Sequence, residues 1–296
     1  MEFKSSWGQF ALFLMLLGVN IIFFSIFARV TADFLFGSVD LSSAPVSRYV
    51  NILHQIVVFG FTAYGFAFFV NRESPFSYLQ LNKGVGMSVG IILMVGYIVS
   101  IPIFSWIIEW NEGIKLPEAL SSVESWMREN EIKNTETSDR LLFGTGINIL
   151  LTNLLVMGLA PAICEELLFR GALLAWLKNS LKNIHVAVFL SAFIFSAIHM
   201  QFFGFFPRLL LGLYLGYLCV WTGSIWGSII VHFVNNIIIV ITAYLYHSEI
   251  ISTHYKDFGS VENNYLLIFI SVVLTSACIY FLYKKRKKKD LIISEV

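Results

Sequence analysis

Long apolar stretches separated by short polar connectors recur along the whole chain. A helix that crosses a bilayer needs roughly 20 mostly apolar residues. That criterion predicts spans over 8–36, 49–70, 84–108, 143–166, 185–200, 206–222, 224–246 and 264–283. The first is long enough to tilt or to extend into the interface, and the fifth and sixth are short. If those two form a re-entrant pair, the count falls to seven. The pattern predicts an all-α, polytopic membrane helix bundle of about eight transmembrane helices. The first apolar segment begins near Trp7 and runs past the length of a signal-peptide core without a small-residue cleavage site. It reads as a retained helix.

Composition agrees. The 296 residues are 57% hydrophobic and 13% charged, about half the charge of a soluble domain, which excludes an ordinary aqueous surface. A net charge of +1 gives no reason to expect nucleic acid as a partner; the partner expected is the lipid bilayer. Cys164, Cys219 and Cys278 lie in apolar segments without metal-like spacing and read as small core residues.

The distribution of Lys and Arg sets the predicted orientation. The basic run 284–289 abuts the last span, which places the C-terminus in the cytoplasm; it also admits a reading as a patch for anionic lipid or nucleic acid. Eight spans put the N-terminus, with Lys4, on the same side, together with Arg72, Lys83, Lys178 and Lys182. Connector 109–140, with eight acidic against four basic residues, falls outside, as does the connector around Glu249, Asp257 and Glu262. Segment 116–139 reads equally as an amphipathic helix over the outer mouth and as a solvated loop. Gly86-xxx-Gly90 and Gly212-xxx-Gly216 have the spacing of close helix contacts. The lean chain points to a bacterial cytoplasmic membrane. The expected division is 1–140 for the first helices and outer connector, 141–246 for a core with the polar clusters, and 247–296 for the last helix and basic tail.

Those clusters interrupt three successive apolar segments: Glu165 and Glu166 with Arg170, His199 after Phe195, and His232 with Asn236. Ionisable groups inside a membrane are costly, rare and usually functional. Glu166 and Arg170 are four apart with the acid first, the favourable order for a same-face pair. Glu165 is rotated about 100° away and must find its partner across the bundle; it is the candidate general base. Pro161, four residues earlier, predicts a kink that frees a carbonyl and makes room for water. His232 and Asn236 share a helix face and can together hydrogen-bond one substrate oxygen, as in an oxyanion hole. His199 closes a short segment ahead of a Gly/Pro-containing loop over 201–207, backbone of the kind tolerated at membrane depth where it lines a cavity. Each cluster also has a plain structural reading: a histidine bonded to a carbonyl, or an ion pair that pins two helices. His54, near Asn51 and Gln55, reads as a structural polar contact of that kind. The co-occurrence of the clusters favours a site. His232 stands roughly 14 Å from the inner end of its helix at 1.5 Å per residue, so the expected cavity is mid-membrane and opens inward.

At these residues the chain resembles the CPBP family, the CAAX-protease and bacteriocin-processing intramembrane peptidases also called Abi proteins. Its motifs stand here as Glu165-Glu166-Leu-Leu-Phe-Arg170, Phe195-Ser-Ala-Ile-His199 and His232-Phe-Val-Asn-Asn236. The resemblance covers roughly 145–246 and makes 141–246 a CPBP-like catalytic core. It implies an eight-helix fold that hydrolyses a peptide bond in a polar cavity. Glu165 would activate water with help from His199. His232 and Asn236 would stabilise the oxyanion, and Glu166, Arg170 and Phe195 would support them. The implied partner is a membrane-associated peptide or protein; eukaryotic members trim the last three residues of prenylated CaaX proteins.

No cofactor is firmly implied, although family members are often described as metalloproteases. A zinc ion would fall to Glu165, His199 and His232. No His-Glu-xx-His pair is present and Asn is a poor zinc ligand, which favours a glutamate-activated water without metal. Two further classes remain: a non-catalytic scaffold or bacteriocin-immunity protein of the same fold, and a proton-coupled transporter. Against the transporter stand the lack of paired inverted halves and the confinement of the polar clusters to the second half.

Overall fold

In a bilayer every backbone N–H and C=O has to be satisfied within the protein, and the apolar stretches achieve this as helices. The computed structural model describes residues 5–37, 40, 42–257, 259–261 and 264–294, with the side chains at 256 and 286–294 outside that description. Lys4, Glu262 and the side chains of most of the basic run therefore lie outside the described residues.

Among the described residues nine principal helices carry the architecture and no strand forms. They are α1 (Ser6–Phe36), α2 (Ala44–Val70), α3 (Met87–Glu112), α4 (Ser121–Leu142), α5 (Ile147–Leu181), α6 (Ile184–Ala197), α7 (Phe205–Thr222), α8 (Trp226–His247) and α9 (Tyr265–Ser294). Seven of these are long and apolar enough to cross a membrane, α7 together with the turn that precedes it. The chain is an integral membrane protein. The fifth predicted span, α6, has 14 residues. It rises about 21 Å, short of the roughly 30 Å hydrocarbon core.

Two predicted boundaries change. The fourth span does not stop at 166: α5 continues to Leu181, 35 residues in all. Hydropathy ends the span where Glu165, Glu166 and Arg170 break the apolar run, but the Glu166–Arg170 pair and the Gln55 donor to Glu165 let the helix pass through the core. Segment 116–139, left open between helix and loop, is mostly helical as α4.

Lys285 donates to Ser88 at 2.8 Å, so the end of α9 and the start of α3 share one side of the bundle. On the opposite side Tyr255 bonds Asp139 of α4. Burial, then the Asp139 carboxylate, holds the Tyr255 phenol above its ordinary range. Arg48 locks the beginning of α2 to the α4–α5 corner. It donates to Leu141 O at 3.0 Å, Phe143 O at 2.6 Å and Asn153 Oδ1 at 2.9 Å. Asn153 in turn donates to Leu142 O.

Two apolar clusters flank the centre. One joins α1, α2, α5 and α6 through Phe13, Phe66, Phe169 and Phe195; the other joins α3, α7, α8 and α9 through Leu93, Leu215 and Val231. Cys164 and Cys219 are buried among these helices as expected, while Cys278 is half-buried; all three are free thiols. α6 and α7 approach each other closely. A Cβ on Gly216 would lie 2.9 Å from Val188, and one on Gly212 would lie 3.0 Å from the Ala192 side chain and 3.1 Å from its backbone. Nothing stands within 4 Å of a Cβ on Gly90, so only the second small-residue pair is a helix contact. Replacing Gly212 with Ala is expected to lower stability by about 1–3 kcal/mol, because backbone blocks the new methyl. Gly90→Ala should be neutral or slightly stabilising. Thermal unfolding of the two variants in detergent checks the contrast.

Candidate active site

The acidic pair sits on an α-helical turn of α5 (Ala160–Glu166) between two π-helical segments, Leu154–Leu159 and Leu167–Leu173. Such wide turns are rare, and they concentrate at functional sites. The first directly precedes Pro161, so the break predicted from proline takes the form of a widened turn. A third π-segment, Gln55–Phe61 of α2, begins at the residue facing Glu165.

Glu166 is fully buried. Its Oε1 accepts from Arg170 Nη1 at 2.8 Å and from His232 Nδ1 at 2.9 Å. Because a carboxylate can only accept, Nδ1 of His232 carries the proton and Nε2 is turned elsewhere. It faces Glu165, whose Oε2 lies 3.9 Å away, too far for a direct hydrogen bond. The other oxygen of Glu165 accepts from Gln55 Nε2 at 3.0 Å. The two acids thus divide as their spacing predicts: Glu166 takes the local arginine and Glu165 is met from across the bundle. His232 touches both.

Arg170 also donates to Gly212 O at 3.3 Å and lies 4.6 Å from the centroid of the Phe195 ring. Phe195 is the hub on which the rest turns. Its ring meets those of His199 at 5.2 Å and His232 at 6.0 Å, both edge-on. Its carbonyl accepts from His199 Nδ1 at 2.8 Å, which again fixes the tautomer and leaves Nε2 of His199 with a lone pair.

Asn236 stands apart from this cluster. Its amide donates to Gly158 O at 3.4 Å and its oxygen accepts from Asn235 at 2.8 Å. Asn235 in turn accepts from the Tyr97 hydroxyl at 2.6 Å. The structure therefore brings together Glu165, Glu166, Arg170, Phe195, His199 and His232, and places Asn236 on the same α8 face toward α5, at Gly158 rather than at the acids.

Sequence reasoning missed Gln55, Tyr97 and Asn235. Gln55 was grouped with His54 as a structural contact. Of that group His54 instead packs edge-on against Phe24 and Phe59.

Two cavities lie among the helices that carry the site, and none of Glu165, Glu166, His199 and His232 is among their lining residues. An apolar one of about 400 Å³ lies between α1, α2, α5 and α6, lined by Phe13, Phe24, His54, Phe169 and Ile198 among others. A more polar one, also about 400 Å³, is lined by Tyr97, Glu112, Glu131, Arg208 and Asn235 and by apolar side chains of α3, α7 and α8. It lies beneath α4, away from the end of α9. α4 is held there by Arg128 over the Phe203 ring at 4.2 Å and Trp126 against Phe202. Near its start the Glu124 carboxyl accepts from Leu116 N and from Arg128, which hold it below the usual carboxylate range.

A catalytic zinc needs three converging protein ligands. Among the described residues no three His, Cys, Asp or Glu side chains converge as metal ligands. His232 and His199 each keep Nε2 for another partner, since Nδ1 goes to Glu166 and to a carbonyl, but with Glu165 they do not converge on one point. Among the described residues they do not form a ready zinc site.

Fold and site define a polytopic membrane protein with a buried, paired cluster of ionisable side chains at its centre. Residues 147–238 match the family model described as type II CAAX prenyl endopeptidase Rce1-like. The match supports a CAAX-type intramembrane endopeptidase in general terms and agrees with the family its motifs resemble. No curated protein and no solved structure gave a match.

Removing one member of a buried ion pair strands the other charge and costs about 3–5 kcal/mol. Arg170→Met is expected to show a loss of that order in unfolding experiments, whereas Glu166→Gln combined with Arg170→Met should recover part of it. A double variant no more stable than Arg170→Met would show that the stranded charge is not the cause.

Proposed function

We propose that this protein is an intramembrane endopeptidase in which Glu165 activates a water molecule against a peptide bond of a membrane-associated substrate. The observation that carries the reading is the 3.9 Å gap between Glu165 Oε2 and His232 Nε2. Two polar atoms that far apart can each hold the same water at about 2.8 Å.

In the proposed step Glu165 takes a proton from that water as its oxygen bonds to the scissile carbonyl carbon. The negative charge that forms on the carbonyl oxygen is met by His232 and Asn236. For His232 to donate from Nε2 it must be an imidazolium, since Nδ1 already donates to Glu166. The second N–H of the Asn236 amide is available for the same oxygen. As the C–N bond breaks, the proton held by Glu165 passes to the leaving amine. His199, with its lone pair at Nε2, orients the water. Gln55 fixes the rotamer of Glu165.

The apolar cavity beside Phe169 supports a substrate with an apolar chain near its cleavage site, and CaaX-like peptides are one such class. A non-catalytic scaffold remains the second reading. It is disfavoured by the histidine tautomers, which direct two ring nitrogens away from their structural partners.

The test compares wild type, Glu165→Gln and His232→Ala on a quenched prenylated CaaX peptide, with and without chelator. Wild type should cleave it, and each variant should lose roughly a hundredfold or more in kcat, with the chelator without effect. Glu165→Gln cleaving at the wild-type rate would overturn the mechanism. Wild type inert on this peptide and on unlipidated membrane peptides would favour the scaffold.

A further inference from the structure

One charged side chain near the site has no part in this mechanism. Arg208 lies in the first turns of α7 and lines the polar cavity beneath α4. Its Nη1 donates to Gln201 O at 3.3 Å and its Nη2 to Gln201 Oε1 at 2.5 Å. Those bonds use two of the five N–H groups of a guanidinium. Gln201 passes its own amide hydrogen to Glu131 at 3.3 Å, so its carboxamide stands between the guanidinium and that acid.

The chain makes room for this arrangement. A Cβ on Gly204 would sit 2.5 Å from Nη2 and 3.0 Å from Cζ of Arg208, so only glycine lets the guanidinium lie against this backbone. The position is also close to the chemistry. Glu131, and more weakly Glu165, act electrostatically on Arg208, and Arg208 in turn acts on His199. Tyr97 and Asn235, which line the same cavity, lead by hydrogen bonds to Asn236. A peptide whose scissile carbonyl sits by Asn236 would have this cavity for the residues on one side of the cut.

We propose that the cavity beneath α4 is a substrate subsite in which Arg208 binds a carboxylate of the peptide, either its C-terminal carboxylate or an acidic side chain. The proposal rests on the peptidase reading for the identity of the ligand. A planar guanidinium fork pairs with a carboxylate through two parallel hydrogen bonds, and in a partly desolvated cavity such a contact contributes far more than at a surface. Glu112 and Glu131, on the same lining, repel an anion that does not reach the guanidinium. They favour a ligand whose single carboxylate is delivered to Arg208 by the rest of the chain. Arg208 is thus a specificity-determining residue, one that distinguishes peptides by their charge beyond the cleaved bond.

The test separates this binding from turnover. A fluorescent peptide with an apolar anchor is made in four forms: C-terminal acid or amide, each with Glu or Gln as the residue nearest that end. Affinity is measured in detergent for the Glu165→Gln protein, alone and with Arg208→Gln, Arg208→Lys or Gly204→Ala added. Forms with a carboxylate should bind roughly tenfold to a hundredfold tighter than the amide with Gln. The pairwise comparison identifies which carboxylate is used. Arg208→Gln should erase the difference, Gly204→Ala should reduce it with the charge retained, and Arg208→Lys should be intermediate. Equal affinity for all four forms, or discrimination that survives Arg208→Gln, overturns the proposal. Discrimination lost with Arg208 while wild type hydrolyses none of the four peptides supports the carboxylate site and counts against the peptidase reading alone.

Discussion

The carboxylate of Glu166 is the constraint around which the structure is organised. It is fully buried at membrane depth, where an unpaired charge is untenable. One oxygen collects the hydrogen bonds of Arg170 from its own helix and of His232 from α8. Arg170 then reaches Gly212 of α7 and stacks on Phe195 of α6. Neutralising one carboxylate thus draws four helices to a common point. It also fixes the tautomer of His232 and aims its remaining nitrogen at Glu165. The acid with the least direct role in the proposed chemistry is the one that orients it, as a second shell orients the ligands of a metal site.

The close approach of α6 and α7 serves the same point. Gly212 and Gly216 let the two helices meet over Ala192 and Val188, which brings the carbonyl of Gly212 within reach of Arg170. A larger residue at 212 would move that acceptor and the Phe195 hub together. Packing in the apolar layer and electrostatics in the polar centre are therefore coupled. Lipid offers no hydrophobic drive for helix association, so such close contacts and polar bonds have to supply it.

The parts of this arrangement that were legible in the sequence share a cause. Seven long apolar helices follow from the need to bury backbone in hydrocarbon, and the Glu166–Arg170 pair follows from helical spacing; both are local rules. What escaped is non-local. Gln55 lies 110 positions from Glu165, and Tyr97 is 138 from Asn235; a lone amide or phenol in an apolar stretch carries no sign of its partner. The extent of α5 escaped for a different reason. A hydropathy rule counts each ionisable residue as a full penalty, whereas the structure pairs Glu166 with Arg170 and gives Glu165 a donor from Gln55. Arg48 is the same case at the α4–α5 corner, where one guanidinium satisfies carbonyls that would otherwise end a helix unpaired.

The asymmetry of the two cavities follows from the short α6. Because it ends before crossing the hydrocarbon thickness, the chain turns back through Gln201, Phe203 and Gly204 at depth. The backbone exposed there is tolerated because it borders a polar space. Asn111 of α3 closes the turn by accepting from Phe206 N and donating to Phe202 O, and α4 lies over it. A full-length helix at this position would fill the cavity that holds Arg208 and leave Asn236 facing lipid or protein. On the opposite face the longer α1 and α2 reach past the acids, and the space they leave is mostly apolar, with His54 and Ser25 as its polar lining. A substrate passing between these cavities would change environment at the acidic pair, apolar on the α1–α2 side and polar beneath α4. An amphipathic peptide would then be held in one direction by its own polarity, with its scissile bond at the boundary.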